Sequence, residues 1–395
     1  MKSNSSQTTV SNTAAKPPRL YYMDWIRSLA MLGIFLFHNA RFYDAFSDWH
    51  VRNAEIGIGA TVLVAFMSQW IMPLFFLIAG AGVYYALKSR SAGQFIQERT
   101  LRLLVPLVFG ILVIVVPQFY FEAVSHGEQL AGYNFFQIYW MYLKTIPELQ
   151  WFHLWFLLDL FIFSIIALPL LLPGSNSGKS VISRLAAAFS KPWTFMLLLV
   201  LSLTIINVLL YPAGFWGHRE AGGWSFVAYF LFFILGYLIF ANPRIMEAIK
   251  KYTWIILVIA IIAMGCLLIF TDTVANPKEF FGTPTFMLVQ FIQSLNTWCW
   301  LLFWLGLGSR FLNRNNRFLS YANEAVLPFY VLHQTVIICI GFYVVQWNTG
   351  VWLKYLTIST TSFIAIILIY ELLIRRINVL RFLFGMRLKK RKQAG

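Results

Sequence analysis

Residues Tyr21–Phe42, YYMDWIRSLAMLGIFLFHNARF, form an apolar stretch long enough to cross a bilayer, which takes roughly 20 helical residues. The stretch nevertheless carries Asp24, Arg27 and His38. An ionisable residue inside a spanning helix costs about 2.5–3.5 kcal/mol on insertion scales, so it usually faces protein or a wet cavity. At about 100° per residue, Asp24 and His38 share one stripe, with Arg27 beside it. The two ends of this stripe are roughly 21 Å apart along the helix. We therefore predict a membrane helix with a functional polar face.

Each of these residues also has a simpler structural explanation. Asp24 and Arg27, spaced i and i+3, fit an interfacial ion pair at the start of the helix. His38 fits a structural histidine that is bonded to a neighbouring helix. The position of all three on one helical face favours a site over these separate explanations.

The composition excludes an ordinary soluble domain. Of 395 residues, 59% are hydrophobic and only 12% are charged, and the mean hydropathy is +0.69. These values are typical of polytopic membrane proteins. The three cysteines, Cys266, Cys299 and Cys339, all lie in apolar runs, so we expect neither a disulfide framework nor a metal site.

The apolar runs predict an all-α polytopic membrane protein with about ten transmembrane helices. A single membrane domain, 19–376, lies between a polar tail, 1–18, predicted to be disordered, and a basic C-terminal tail, 377–395. The expected helices are approximately 22–42, 65–88, 103–121, 154–172, 193–212, 224–241, 253–271, 284–309, 324–347 and 351–374.

The basic residues predict the orientation of these helices. The N-terminal tail, alternate loops and the C-terminal tail would share one side of the membrane, and they hold 24 of the 31 Lys and Arg residues. The loops on the opposite side hold only five, and the other two lie in the first stretch. Since cytoplasmic loops carry the excess of positive charge, both termini are predicted to be cytoplasmic. A basic tail beside a bilayer binds anionic lipid headgroups, so the net charge of +16 does not require nucleic acid.

The histidines have a different distribution, because none of the six is predicted to be cytoplasmic. Two lie within the membrane and four on or near its outer face. The two within the membrane are His38 and His333. The four on or near the outer face are His50, His126, His153 and His218.

A pair of arginines marks the predicted cytoplasmic mouth of the third segment. Arg99 and Arg102, in the sequence RTLR, are spaced i and i+3, so both guanidinium groups lie on one face. Two such groups suit bidentate binding of phosphates. The alternative is that both residues serve only to orient the helix.

Two further groups of polar residues lie at membrane depth. In HLWFLLD, His153 enters the fourth segment from outside, and Asp159 lies more than a turn inside, where it needs a partner. In EAVLPFYVLHQT, which begins at Glu324, Tyr330 and His333 place hydrogen-bonding groups at mid-membrane depth.

Together these motifs resemble those of a known enzyme family. The opening stretch is followed, in order, by QWIMPLFFLIAG, ERTLRLLVP, HLWFLLDLF, LPFYVLHQT and IYELLIRRINVLRFLF. This series resembles acyltransferase family 3, whose members are integral membrane enzymes that O-acylate sugars and lipids. Within the family the chain most resembles the glucans biosynthesis protein C group, implicated in succinylating periplasmic glucans.

The resemblance implies roles for individual residues. His38 matches the catalytic base that is proposed for the family, and Asp24 and Arg27 match its first-helix acidic and arginine positions. Arg99 and Arg102 match the R-x-x-R that is associated with the acyl donor. The chain departs from the family's W-S-L-x-x-E motif: the glutamate position is occupied by Leu160, next to Asp159.

The reaction that this resemblance implies suits the polar residues of the predicted helices. Acyl-CoA, as acetyl-CoA or succinyl-CoA, would be a donor substrate, and no permanently bound cofactor is expected. The acceptor would be a glycan or lipid-linked sugar outside the cytoplasm of a bacterium, at its inner membrane. His38 supplies a base near neutrality, while Arg27, Tyr330 and His333 are candidates to polarise the thioester carbonyl. Supporting or acceptor roles are expected for His153, Asp159 and Glu324.

A proton-coupled secondary transporter of a small polar or anionic solute is the competing function. Buried charges and proline-containing helices suit such a carrier as well. The later half, however, contains no second copy of the Asp24–Arg27–His38 pattern or of R-x-x-R, so no internal repeat supports alternating access. A receptor or scaffold would leave the intramembrane charges without a purpose.

Overall fold

A computed structural model describes residues 20–46, 49–128, 130, 132–146, 151–172, 192–212 and 224–389. Within these ranges the chain is helical and has no strand. The helices are α1 (Tyr21–Ala40), α2 (Ile58–Ser68), α3 (Ile71–Leu87), α4 (Ala92–Arg99), π1 (Thr100–Leu104), α5 (Val105–Phe109), π2 (Gly110–Ile114), α6 (Val116–Ser125), α7 (Phe135–Thr145), α8 (Trp155–Leu171), α9 (Pro192–Leu210), α10 (Phe226–Ala241), α11 (Pro243–Ile269), α12 (Thr271–Ala275), α13 (Pro284–Phe311), α14 (Arg317–Val344), α15 (Val351–Ile369), π3 (Tyr370–Ile374) and α16 (Asn378–Leu383). The predicted tail 1–18 and the residues after 389 lie outside the described ranges.

Helix α1 packs against five other helices, α2, α3, α13, α14 and α15. Two glycines allow its close approach to neighbours. A Cβ at Gly308 of α13 would lie 2.6 Å from Ile26, and one at Gly341 of α14 would lie 2.2 Å from the Phe42 ring. The two glycines therefore let α13 and α14 pack closely against the stretch Tyr21–Phe42.

The segment that contains the R-x-x-R pair was predicted to be one span over 103–121, but the structure shows a longer and bent helical segment. It begins at α4, where Ser91 and Gln94 form a capping box. Two π-helical segments follow, and a bend of 46° then separates this part from α6. Pro117 lies in the first turn of α6 and offers no N–H to the preceding turn, which explains the bend.

Six of the described helical segments are long and apolar enough to cross a membrane, and the bent pair around α6 gives a seventh if it is one span. Two shorter apolar helices, Thr194–Leu210 and Phe226–Ala241, accompany them. Helix α1 is in neither group, because Asp24, Arg27 and His38 lower its hydropathy, so its crossing of the membrane stays a prediction. The chain is therefore an all-α, multi-pass membrane protein. The predicted total of ten helices and the cytoplasmic termini stay predictions. The six segments are Ile58–Leu87, Phe152–Leu171, Pro243–Ile269, Pro284–Phe311, Arg317–Val344 and Val351–Ile374.

The bundle has two chemically different ends. We call the end where α1 begins the basic end, because α4, π1 and the C-terminal segment contribute arginines there. We call the other, where α1 ends, the histidine end. At the basic end the C-terminal segment folds back on the bundle: Arg381 is buried and donates to Glu324 at 2.9 Å and to the carbonyl of Arg387 at 2.8 Å.

Candidate active site

A cavity of about 310 Å³ opens at the basic end between α1, α3, α4, α8 and α14. Arg27, Arg99, Arg102 and Tyr330 all line it, so the structure brings together four residues that the sequence nominated. The other walls are largely apolar and include Met31, Phe75, Ile78, Phe156, Leu157 and Leu160. The cavity thus combines a cationic mouth with a long apolar interior.

The cationic groups of this cavity are held by their neighbours. Nη2 of Arg27 lies 3.1 Å from Oδ1 of Asp24 and 2.6 Å from Oδ1 of Asn323. The Arg99 guanidinium lies over the Phe95 ring, 4.9 Å from its centroid. Such contacts orient each side chain, so the charges are fixed before any ligand binds.

Glu98 provides negative charge beside the R-x-x-R pair. Its carboxylate lies 2.8 Å from Nε of Arg90 and 3.7 Å from Nη1 of Arg102. Since Arg90, Glu98, Arg99 and Arg102 all line the cavity, its mouth keeps a net positive charge that suits an anionic ligand.

Four histidines meet beyond the inner end of this cavity, and we call His38, His50, His153 and His333 the histidine cluster. The ring centroid of His333 lies 5.1 Å from that of His38 and 5.0 Å from that of His153. Trp49 connects the fourth member, because its ring is 5.2 Å from His38 and 4.6 Å from His50. Within the described residues, no group of three or more His, Cys, Asp or Glu could hold a metal ion.

Backbone carbonyls fix the tautomers of two members of the histidine cluster. Nδ1 of His333 lies 2.5 Å from the carbonyl oxygen of Tyr330, and Nε2 of His153 lies 3.2 Å from that of Val331. A carbonyl only accepts, so each of these ring nitrogens carries the proton. The Tyr330 hydroxyl in turn donates to the backbone carbonyl of His153.

Three other ring nitrogens of the cluster have no hydrogen-bond partner among the described residues although they are buried. They are Nε2 of His333, Nδ1 of His153 and Nδ1 of His38. His153 follows Phe152, whose φ of 49° is left-handed, an unfavourable conformation for a phenylalanine that often marks a functional site. The cluster therefore presents unused hydrogen-bonding capacity.

His50 and Glu122 are the members of the site that the sequence reasoning missed. Nδ1 of His50 lies 2.9 Å from a carboxylate oxygen of Glu122. Its Nε2 lies 2.8 Å from Nε2 of Gln334 and 3.2 Å from Nε2 of Gln118, so it accepts from these amides. The available signal was the spacing of Gln118 and Glu122, which places two polar groups on one face of an otherwise apolar helix.

The loop after α1 is fixed over the histidine cluster. Arg41 lies 2.8 Å from Asp44, and its guanidinium is 5.1 Å from the centre of the Trp49 ring. Burial raises the pKa of Asp44, although Arg41 opposes this shift. Farther along the loop, Asn53 accepts from the buried Lys354 ammonium at 2.7 Å. These contacts hold Trp49 and His50 against the end of α1.

The remaining predicted residues have different positions. Asp159 is buried in α8 and interacts electrostatically with Tyr330. Glu324 lies away from the cavity and binds Arg381 of the C-terminal segment. Of the other histidines, His126 is exposed and bonds the carbonyl of Glu122, while His218 lies outside the described residues.

Tyr330 connects the cavity to the histidine cluster. It lines the cavity, and its ring lies 5.7 Å from that of His333 and 5.6 Å from that of His153. The cationic cavity and the histidine cluster therefore meet at the Tyr330 side chain. This arrangement can bring a reacting group close to a histidine that serves as its base.

Comparison with known proteins agrees with this arrangement. The family model described as an acyltransferase domain matches residues 20–371. Similar proteins include glucans biosynthesis protein C of Escherichia coli strains K12, SMS-3-5 and O157:H7. Each is 25% identical over 384 residues, which cover 93% of this chain and 94% of the relative. No solved structure matches the chain.

Proposed function

This chain belongs to acyltransferase family 3, and we propose that it moves an acetyl or succinyl group from acyl-CoA to a hydroxyl of a glycan or lipid-linked sugar. The observation that carries this proposal is the contact, through Tyr330, between the cationic cavity and the histidine cluster. A charged donor and a neutral base are the two requirements of this reaction.

The donor is expected to bind with its phosphates at Arg99 and Arg102 and its acyl group toward Tyr330. Planar guanidinium groups bind phosphates bidentately, and the apolar walls suit the thin chain that links phosphate to thioester. Arg27 lies roughly 16 Å from His38 along α1. It therefore serves the donor rather than the carbonyl that reacts beside His38.

His38 acts as the general base in this proposal. It accepts the proton of the acceptor hydroxyl while the hydroxyl oxygen forms a bond to the thioester carbonyl carbon. The carbon–sulfur bond then breaks, and the sulfur of CoA takes the proton from His38. The imidazole is neutral again at the end of the cycle.

The cellular setting rests on charge and on the relatives. The excess of Lys and Arg at the basic end supports a donor that arrives from the cytoplasm of a bacterium, with both termini on that side of the inner membrane. The name of the similar E. coli proteins supports a glucan as the acceptor. Succinyl extends the resemblance to that group, and acetyl is the commoner choice in the family.

Purified protein incubated with labelled acetyl-CoA or succinyl-CoA and a gluco-oligosaccharide tests this function. We expect an O-ester on the sugar and release of free CoA. Solute flux into liposomes without any ester would instead establish the proton-coupled transporter.

The donor part of the proposal is tested by the double variant Arg99→Lys, Arg102→Lys. Lysine keeps the positive charge but cannot form the bidentate contact. We expect the KM for acyl-CoA to rise roughly 10-fold or more, and the KM for the sugar to change little. Arg314→Lys, at the same end but away from the cavity, is the matched control. Unchanged donor affinity in the double variant would leave these arginines with an orienting role alone.

A further inference from the structure

Two buried nitrogens of the histidine cluster require a hydrogen-bond donor that the described residues do not provide. His333 uses Nδ1, and His153 uses Nε2, to donate to a backbone carbonyl. In a neutral imidazole the second nitrogen is then an acceptor with a lone pair. These acceptors are Nε2 of His333 and Nδ1 of His153, both buried and without a partner among the described residues.

No nearby donor among the described residues bonds to either nitrogen, including the indole N–H of Trp49, which is itself buried without a partner there. The Tyr330 hydroxyl donates to the carbonyl of His153, and the amides of Gln118 and Gln334 lie against Nε2 of His50. Burying an acceptor without a partner is unfavourable, so two such atoms on rings 5.0 Å apart indicate a place for a donor from outside the chain, an ordered water or a ligand hydroxyl.

We propose that His333 and His153 form the acceptor subsite and accept hydrogen bonds from two hydroxyls of one sugar residue. This inference rests on the proposed function and assigns the sugar to particular atoms. Carboxylate, phosphate and thioester carbonyl oxygens carry only lone pairs, so they cannot satisfy these nitrogens. Sugar hydroxyls supply the O–H groups that these nitrogens need, but the amide N–H groups in the pantetheine chain of CoA are also donors, so the affinity for acyl-CoA distinguishes the two ligands.

The position of the subsite suits the reaction. His333 lies 5.1 Å from His38 between ring centroids, so a hydroxyl held by His333 is next to the proposed base. His333 would then be a substrate-binding group. It would not polarise the thioester, because its only N–H is bound to the Tyr330 carbonyl.

Each of two substitutions removes one of these nitrogen lone pairs and keeps the hydrogen bond of that side chain to the backbone. In His333→Asn the amide nitrogen replaces Nδ1 and can still donate to the carbonyl of Tyr330. In His153→Gln the amide nitrogen replaces Nε2 and can still donate to the carbonyl of Val331. The reversed variants, His333→Gln and His153→Asn, lose these backbone bonds and report on structure. His126→Gln, an exposed histidine at the same end, is the control.

Binding of a gluco-oligosaccharide is measured by titration without donor, and its KM is measured with acyl-CoA. We expect His333→Asn and His153→Gln each to weaken sugar binding and raise the sugar KM roughly 3- to 10-fold, the worth of one hydrogen bond. The KM for acyl-CoA should not change. Among sugars that each lack one hydroxyl, one should bind the wild type about as weakly as the complete sugar binds the variant. The variant should bind this deoxygenated sugar and the complete sugar equally well.

Several results would overturn the subsite without touching the proposed function. One is ester formation by wild type with unchanged sugar binding in both variants. Others are a loss of acyl-CoA affinity in these variants, or defects confined to His333→Gln and His153→Asn. Conversely, sugar binding that the two variants weaken, in a protein that makes no ester, would support the subsite and refute the transferase.

Discussion

His38 is the residue on which the proposed chemistry depends, because it must be neutral to accept a proton. Turnover is therefore expected to fall when the medium is acidified far enough to protonate the imidazole. His38→Gln keeps a polar side chain of similar reach but has no base. We expect it to lower kcat for ester formation about 10²–10⁴-fold, with little change in the KM for acyl-CoA. The pH–rate profile of the wild type and the kcat of the variant check this.

A matched control separates chemistry from folding. His126→Gln replaces an exposed histidine at the same end of the bundle and should keep normal turnover. Near-normal turnover in folded His38→Gln would show that His38 is structural. The base would then be sought at His333 or His153, whose unpartnered nitrogens lie beside it.

Individual residues of the site were predictable to different degrees. The sequence suggested His38, Arg99 and Arg102 as candidates because each stands in a local motif that can be read along the chain. The contact of His50 with Glu122 joins a loop to α6, and Gln334 lies 284 positions away from His50. Hydropathy and local spacing carry no information on such distant contacts, so this part of the cluster could not be predicted.

Helices α3 and α10 show how one pair of glycines sets the distance between two elements. A Cβ at Gly80 would lie 1.8 Å from the carbonyl oxygen of Phe233, and one at Gly236 would lie 2.0 Å from that of Leu77. Backbone atoms cannot move aside as a side-chain end can. We expect Gly80→Ala or Gly236→Ala to destabilise the bundle by about 1–3 kcal/mol or more, measured as a lower Tm in detergent.

Gly82→Ala is the control for these variants because no atom of the described residues lies within 4 Å of the added methyl group. Removing a glycine from a helix interior should stabilise it slightly, by about 0.5–1 kcal/mol. Equal destabilisation by all three substitutions would show that close packing of α3 on α10 is not the cause. Gly80 and Gly82 belong to one sequence, GAG at 80–82, and only the structure shows which of them lies at the contact.

At the same scale, hydropathy located most helices but not their irregularities. The predicted segment 103–121 lies where a helical segment begins at Ala92 and bends before α6. A capping box at Ser91 extends the helix into polar sequence, and π-helical turns at Thr100–Leu104 and Gly110–Ile114 do not alter hydropathy. Such turns often occur at functional sites, and π1 contains Arg102.

The orientation of the whole molecule determines which solution each substrate comes from. The distribution of Lys and Arg predicts that the basic end, with the donor cavity, faces the cytoplasm. Ser89 and Ser125 are both exposed, and they lie at the two ends of the segment that contains α4, π1 and α6. After replacement of the three native cysteines, Ser89→Cys should react with an impermeant maleimide only in opened cells, and Ser125→Cys in intact cells. The reverse pattern would place the arginines outside, where cytoplasmic acyl-CoA could not reach them, and labelling of both from one side would refute the predicted crossing between them.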